Sequence, residues 1–169
     1  EQPYSQQLHD KETHARQMLG GLGEPSWLPS VASREAGFRN KAKLVVAGTV
    51  QAPTLGILDA QGKGVDLDDC QLYPPALAAT FPHLRDFIRQ ARITPYDVPA
   101  RRGELKYLLL TLAEHSGDIM LRFVLRSQEP LARIRKHLPT LHAAMPGLRV
   151  VSANLQPEHK AVLEGEQEI

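Results

Sequence analysis

Cys70 is the single thiol of a 169-residue chain, and it closes the run Asp66-Leu67-Asp68-Asp69-Cys70. A cysteine nucleophile needs a cationic or helix-N-terminal setting that favours the thiolate. Three carboxylates this close in sequence oppose that form by repulsion. The pattern argues against an attacking thiol and leaves two readings, a plain structural cysteine or a metal-held thiolate, because coordination keeps sulfur deprotonated against such neighbours. The acidic run lacks the glycine and the terminal glutamate of a calcium loop and reads as a solvated turn. The seven histidines are scattered, and His137 and His142, five apart, fall on different faces of a helix. There is no Walker loop and no Gly-x-Ser-x-Gly elbow, and Gly20-Gly21-Leu22-Gly23 follows a predicted helix rather than a strand, the wrong context for a dinucleotide fingerprint. The chain therefore presents no catalytic set and no cofactor-binding set of its own.

The positive chemical signal is basic. In Gly37-Phe38-Arg39-Asn40-Lys41-Ala42-Lys43, strand alternation places Arg39, Lys41 and Lys43 on one face and Phe38, Ala42 and Leu44 on the other. Arg101, Arg102 and Lys106, then Arg122 and Arg126, also fall on or beside predicted strands. If these strands share a sheet, their cations could neutralise several phosphates of a nucleic acid; the alternative is a set of ordinary solvated charges balanced by nearby acids. Net charge is only +1, so any nucleic-acid contact must come from such local clustering. Aromatic residues are 5% of the chain, which argues against a base-stacking platform as the main binding device.

The elements that must position these residues follow from periodicity. Tyr4 to Leu22 reads as a helix with a thin apolar stripe of Leu8, Ala15, Met18, Leu19 and Leu22, ended by the glycines at 20, 21 and 23. Residues 25–36 read as a connector anchored by Trp27 and Leu28. Strands are predicted at 38–50 and 54–60, and a helix at 74–92 kinked by Pro82. A hairpin follows at 104–114 and 119–126, with Leu105, Tyr107 and Leu109 sharing a face with Leu121, Phe123 and Leu125. A helix capped by Ser127 runs to Ala144, with strands at 148–155 and 160–164. Hairpins alternating with helices predict an α+β domain: a mainly antiparallel sheet with helices on one face, preceded by an N-terminal helix. Hydrophobic content of 42% and charged content of 23% fit one globular domain. With no long apolar run and no signal-peptide pattern, a cytoplasmic location is expected.

Six segments taken together resemble the bacterial RNA (uracil-5-)-methyltransferase family, and within it the branch that acts on 23S rRNA. They are Gly37 to Lys43, Asp69-Cys70-Gln71-Leu72-Tyr73-Pro74, Arg102-Gly103-Glu104-Leu105-Lys106-Tyr107, Met120 to Ser127, Asn154-Leu155-Gln156-Pro157 and Leu163-Glu164-Gly165-Glu166, in that order along nearly the whole chain. The resemblance implies that Cys70 is the fourth ligand of a 4Fe-4S cluster whose other three cysteines precede Glu1, ahead of a helix with the pattern Gln7-Leu8-x-x-Lys11. It implies an S-adenosylmethionine donor bound by a Rossmann-like catalytic domain beyond residue 169, which also supplies the cysteine that attacks uracil C6 and the glutamate that removes the C5 proton. On this reading residues 1–36 are an N-terminal helix and connector, residues 37–169 are a central RNA-facing domain, and the chain is an inactive fragment that binds 23S rRNA through Arg39, Lys41, Lys43, Arg101, Arg102 and Lys106. A lone thiolate cannot hold a cubane cluster, so none is expected on this fragment. The alternative is a stand-alone, non-catalytic RNA-binding or assembly module.

Overall fold

Alternation governs the sheet. Along β1 (Lys41–Gly48) Ala42, Leu44 and Val46 are buried while Lys41 and Lys43 are exposed. β1 turns back into β2 (Pro53–Leu58), which pairs with a short β3 (Gly64–Asp66). β4 (Leu105–Ala113) and β5 (Asp118–Leu125) form the predicted hairpin, and β6 (Leu148–Leu155) and β7 (Gln167–Glu168) complete a seven-stranded sheet of order β3-β2-β1-β4-β5-β6-β7. Every pairing is antiparallel except β5 with β6, where a crossover helix intervenes, as a parallel connection requires. The computed structural model describes residues 2–23, 25–160 and 162–169.

One face of the sheet is covered by helices. α2 (Pro75–Ala78) and α3 (Thr80–Gln90) run between the two halves of the sheet, and α4 (Leu131–Ala144) is the β5–β6 crossover. Phe81, Leu84, Phe87 and Ile88 from α3 and Leu131, Ile134 and Leu141 from α4 join Leu44, Leu55, Leu108, Leu110, Leu121 and Phe123 in one core. Phe87 and Phe123 meet at 5.5 Å between ring centroids. The predicted α+β class, with a mainly antiparallel sheet and helices on one side, is the fold observed.

Several local expectations are corrected. The 74–92 helix is interrupted at Ala79, and Pro82 causes no break because it sits in the first turn of α3, where backbone N–H groups lack helical partners anyway. Ser127 does not cap α4: its hydroxyl donates to Glu104 Oε2 at 2.6 Å and accepts from the Glu129 N–H, and the helix begins only after Pro130. The hairpin faces differ because a register shift lies between Leu105 and Tyr107, opposite Leu125 and Val124. That bulge moves Tyr107 and Leu109 to the face away from the helices and puts Leu108, Leu110 and Leu112 in the core. The final strand is Gln167–Glu168; of the expected strand at 160–164, Ala161 lies outside the described residues and the rest is not extended pairing.

The amino-terminal helix α1 (Tyr4–Leu19), extended by one tight turn over Gly20–Leu22, buries none of its residues. Trp27 lies under the Arg16 guanidinium, 4.5 Å from its ring centroid, and Leu28 is 82% exposed, so neither anchors the connector onto the sheet. The connector is joined to the body by an Arg34–Glu114 ion pair at 2.6 Å and by backbone bonds from Gly37 N–H to Gln71 O and from Arg39 N–H to Leu72 O. These last two place the start of the basic segment directly beside the Cys70 loop.

Candidate nucleic-acid interface

The face away from the helices is open except where Val124 and Asn154 are buried, and register assigns its occupants row by row. One row runs Lys43, Leu109, Arg122, Ser152 across β1, β4, β5 and β6; the next runs Lys41, Thr111, Met120, Val150; a third runs Val45, Tyr107, Val124, Asn154. Lys41 and Lys43 are exposed and, among the described residues, make no ion pair. Met120 and Val150 are 38% and 49% exposed, so this face mixes cations with apolar surface. Arg39 is also exposed, but it precedes β1 and pairs with the 71–72 segment, so it stands at the margin of the face.

Arg101 and Arg102 are exposed on the loop before β4, where Arg101 takes a φ of 53°. This loop folds on itself through mutual backbone bonds between Asp97 and Arg102. Gly103, at φ 109°, fits a place where a Cβ would stand 2.1 Å from the Pro95 carbonyl oxygen. Lys106 is placed differently from its two neighbours. It is 5% exposed, its ammonium donates to Gln156 Oε1 and to the Glu158 carbonyl at 2.6 Å, and it lies 4.8 Å from the Tyr96 ring centroid. Burial first, and then the charge of Arg126, hold its pKa below the usual lysine value against the pull of Glu158.

Arg122 and Arg126 are both engaged within the chain. Arg122 pairs with Glu164 and, at 2.9 Å, with Glu168. Arg126 pairs with Glu104 at 2.7 Å and donates to the Gly103 carbonyl at 2.8 Å. The carboxylates that hold Arg122 belong to the segment after β6, and Asn154 latches that segment down: its amide donates to the Gly165 carbonyl and to Glu168, and its carbonyl accepts the Gly165 N–H at 2.7 Å. A Cβ at Gly165 would stand 2.0 Å from the Leu155 carbonyl oxygen, so the close approach needs glycine. Sequence reasoning missed this latch because the partners lie 11 to 14 residues apart with no periodic signal; the pairing of Asn154 with a following Gly165 was its only trace.

Cys70 is half-buried and packs against the core beside Tyr73, whose hydroxyl is pushed up in pKa by burial and then by Cys70. Two of the neighbouring carboxylates are neutralised by Arg85, at 2.5 Å to Asp66 and 2.8 Å to Asp68. Among the described residues no group of three or more His, Cys, Asp or Glu side chains is placed to hold a metal ion, so these residues alone do not fit a four-thiolate cluster. Among the described residues no helix is long and apolar enough to cross a membrane.

Fold and surface thus define an α+β domain with a cation-bearing sheet face away from the helices. Three curated relatives give that class a context. The 23S rRNA (uracil(747)-C(5))-methyltransferase RlmC of Edwardsiella ictaluri is 53% identical over 167 residues, 99% of this chain and 44% of the relative. The RlmC proteins of Photorhabdus laumondii and Serratia proteamaculans are each 52% identical over 169 residues, the whole chain and 45% of the relative. The chain spans less than half the length of these relatives. The crystal structure of Pyrococcus abyssi tRNA (uracil-54, C5)-methyltransferase in complex with S-adenosyl-L-homocysteine matches with a TM-score of 0.66 over 99% of this chain and 38% of that one; at 20% identity the match concerns the fold alone. No protein-family model matches. The likeness to RNA uracil C5-methyltransferases read from six short segments therefore holds along the whole chain.

Proposed function

We propose that the chain is the RNA-facing part of an S-adenosylmethionine-dependent methyltransferase that forms 5-methyluridine in 23S rRNA. The observation that carries this reading is the 53% identity over 99% of the chain to a protein named for that reaction. Residues 1–36 form the helix and connector, residues 37–169 the RNA-facing domain, and the donor pocket and attacking groups belong to the portion of the relatives that this chain does not span. S-adenosylmethionine would supply the methyl group there, and the residues described here would hold and orient the RNA. Lys41 and Lys43 are the foremost phosphate contacts, with Arg39 at the margin of the same face and Arg101 and Arg102 on the adjoining loop. Lys106, already committed to Gln156 and Glu158, supports that loop from beneath.

Cys70 is proposed as one thiolate ligand of a 4Fe-4S cluster completed by three cysteines outside residues 1–169. Its half-buried position supports this, because Gly37 is hydrogen-bonded to Gln71 and, four residues earlier, the Ser33 N–H donates to the Tyr4 hydroxyl at 2.7 Å, which brings the start of α1 back toward the end of the connector. In the full-length natural protein isolated anaerobically, Cys70→Ser should lower iron and sulfide content, since serine is a harder and poorer ligand; unchanged iron would return Cys70 to a structural role.

Calorimetry tests the main proposal. The 169-residue chain should bind a 23S rRNA hairpin with an affinity that falls as salt rises, and should show no saturable binding of S-adenosylmethionine. Saturable donor binding would overturn the division of labour, and absence of RNA binding would overturn the RNA-facing assignment.

A further inference from the structure

Beside the cation rows, the open face carries a recess of 310 Å³ whose lining includes Val45, Tyr96, Val98, Lys106, Tyr107 and His159. We propose that this recess receives one unstacked nucleobase of a single-stranded RNA, a proposal that rests on the RNA-facing reading and assigns it a particular site. Three rings converge there from sequence positions far apart. Tyr107 is turned toward this face by the bulge at the start of β4, and Tyr96 is tied to His159 by a 3.0 Å hydrogen bond between its hydroxyl and Nδ1, with ring centroids 6.2 Å apart. The scarcity of aromatics along the sequence argues against an extended stacking platform, but a single pocket needs only the rings assembled here.

The chemistry of the walls favours a base over a phosphate. Val45, Leu58 and Val98 are apolar, and the two lysines with atoms in the recess are already engaged, Lys106 with Gln156 and the Glu158 carbonyl and Lys160 with the Glu158 carboxylate. A planar ring that offers a stacking face suits such walls, and every base has one. The surroundings supply what the sugar-phosphate chain on either side would need. Lys43 and Lys41 stand two and four residues from Val45 on the same face of β1, about 7 and 14 Å along the strand. On the other flank, the loop that bears Arg101 and Arg102 reaches the recess through Val98, whose carbonyl accepts the Arg101 N–H. Cations from two distant stretches of sequence thus border one aromatic pocket.

The test compares two fluorescein-labelled single strands of about 12 nucleotides, one with its bases and one abasic throughout, so that phosphates are matched and only bases differ. By anisotropy at fixed salt, the intact strand should bind the chain roughly tenfold tighter or more. Tyr107→Leu with His159→Ala should erase that preference while leaving the salt dependence unchanged, whereas Lys41→Gln with Lys43→Gln should weaken both strands and flatten their salt dependence. His159→Ala alone, on an exposed loop, gives a second measurement that avoids disturbing the sheet, and circular dichroism checks each variant. Equal, salt-dependent binding of the two strands would overturn the base pocket and leave the phosphate contacts standing. Failure of both strands to bind would overturn the RNA-facing reading together with the pocket.

Discussion

Asn154→Ala should both destabilise the chain and free a cation on its RNA-facing side. Asn154 is 4% exposed and makes three hydrogen bonds into the segment that follows β6, two of them with Gly165 and one with Glu168. The Glu168 carboxylate is 42% exposed and rehydrates easily, so the loss comes mainly from the pair with Gly165. At about 0.5–1.5 kcal/mol net for each bond, the substitution should cost roughly 1–3 kcal/mol, or about 2–10 °C in melting temperature for a domain of this size. The segment released carries Glu164 and Glu168, the two carboxylates that neutralise Arg122. Arg122 lies two strands from Lys43 in the same row, about 10 Å away, so its release adds a cation to the proposed RNA face. The log-log salt dependence of single-stranded RNA affinity should then steepen by about 0.7. Urea denaturation and an RNA salt titration on the same preparation read both effects. Stability within about 0.5 kcal/mol of the parent would mean that the latch is not held by Asn154. A stability loss with an unchanged salt slope would mean that Arg122 is not masked by the segment.

Other outcomes follow from the same geometry. Glu104→Ala removes an 8%-exposed carboxylate that receives Arg126 and Ser127, and should cost roughly 1–3 kcal/mol by urea denaturation. Gly103→Ala forces a side chain into a φ of 109° and a Cβ against the Pro95 carbonyl, and should lower the melting temperature more than Gly20→Ala, where the added Cβ meets nothing within 4 Å. Glu129 is held below its ordinary pKa by the hydrogen bond from Arg133, so its contribution is present above the unfolded value near 4.5 and is lost as pH falls through the lower folded pKa. Glu129→Gln should therefore destabilise slightly at neutral pH, by no more than about 0.5 kcal/mol for so exposed a pair, with the difference from the parent vanishing in acid.

The architecture was legible where one face of an element is buried, and obscure where position depends on a single inserted residue or on contacts distant in sequence. Ala42, Leu44 and Val46 alternate with Lys41 and Lys43, so period-two patterning locates both the core side and the cation side of β1. The bulge before Tyr107 breaks that rule for β4: no residue type announces it, and one extra residue exchanges the faces of everything that precedes it. Lys106 shows the same limit for function. In sequence it is one of three clustered cations, yet the fold buries it against Gln156 and Glu158, fifty residues away. Charge clustering identifies cations near strands, but exposure decides which of them can meet a phosphate.

The claim that Lys41 and Lys43 face RNA is tested most directly by reversing them and measuring the salt dependence of affinity for a 23S rRNA hairpin. The matched control reverses Arg135 and Lys136, both exposed on α4 and therefore on the helical side of the sheet. Arg133 would be a poor control, because its guanidinium donates to the Ala91 carbonyl and pairs with Glu129. Each lost phosphate contact should flatten the log-log slope by about 0.7 to 0.9, so Lys41→Glu with Lys43→Glu should remove roughly one to two units while the α4 pair leaves the slope nearly unchanged. Equal flattening by both pairs, with folding intact by circular dichroism, would show diffuse attraction and contradict an RNA-binding sheet face.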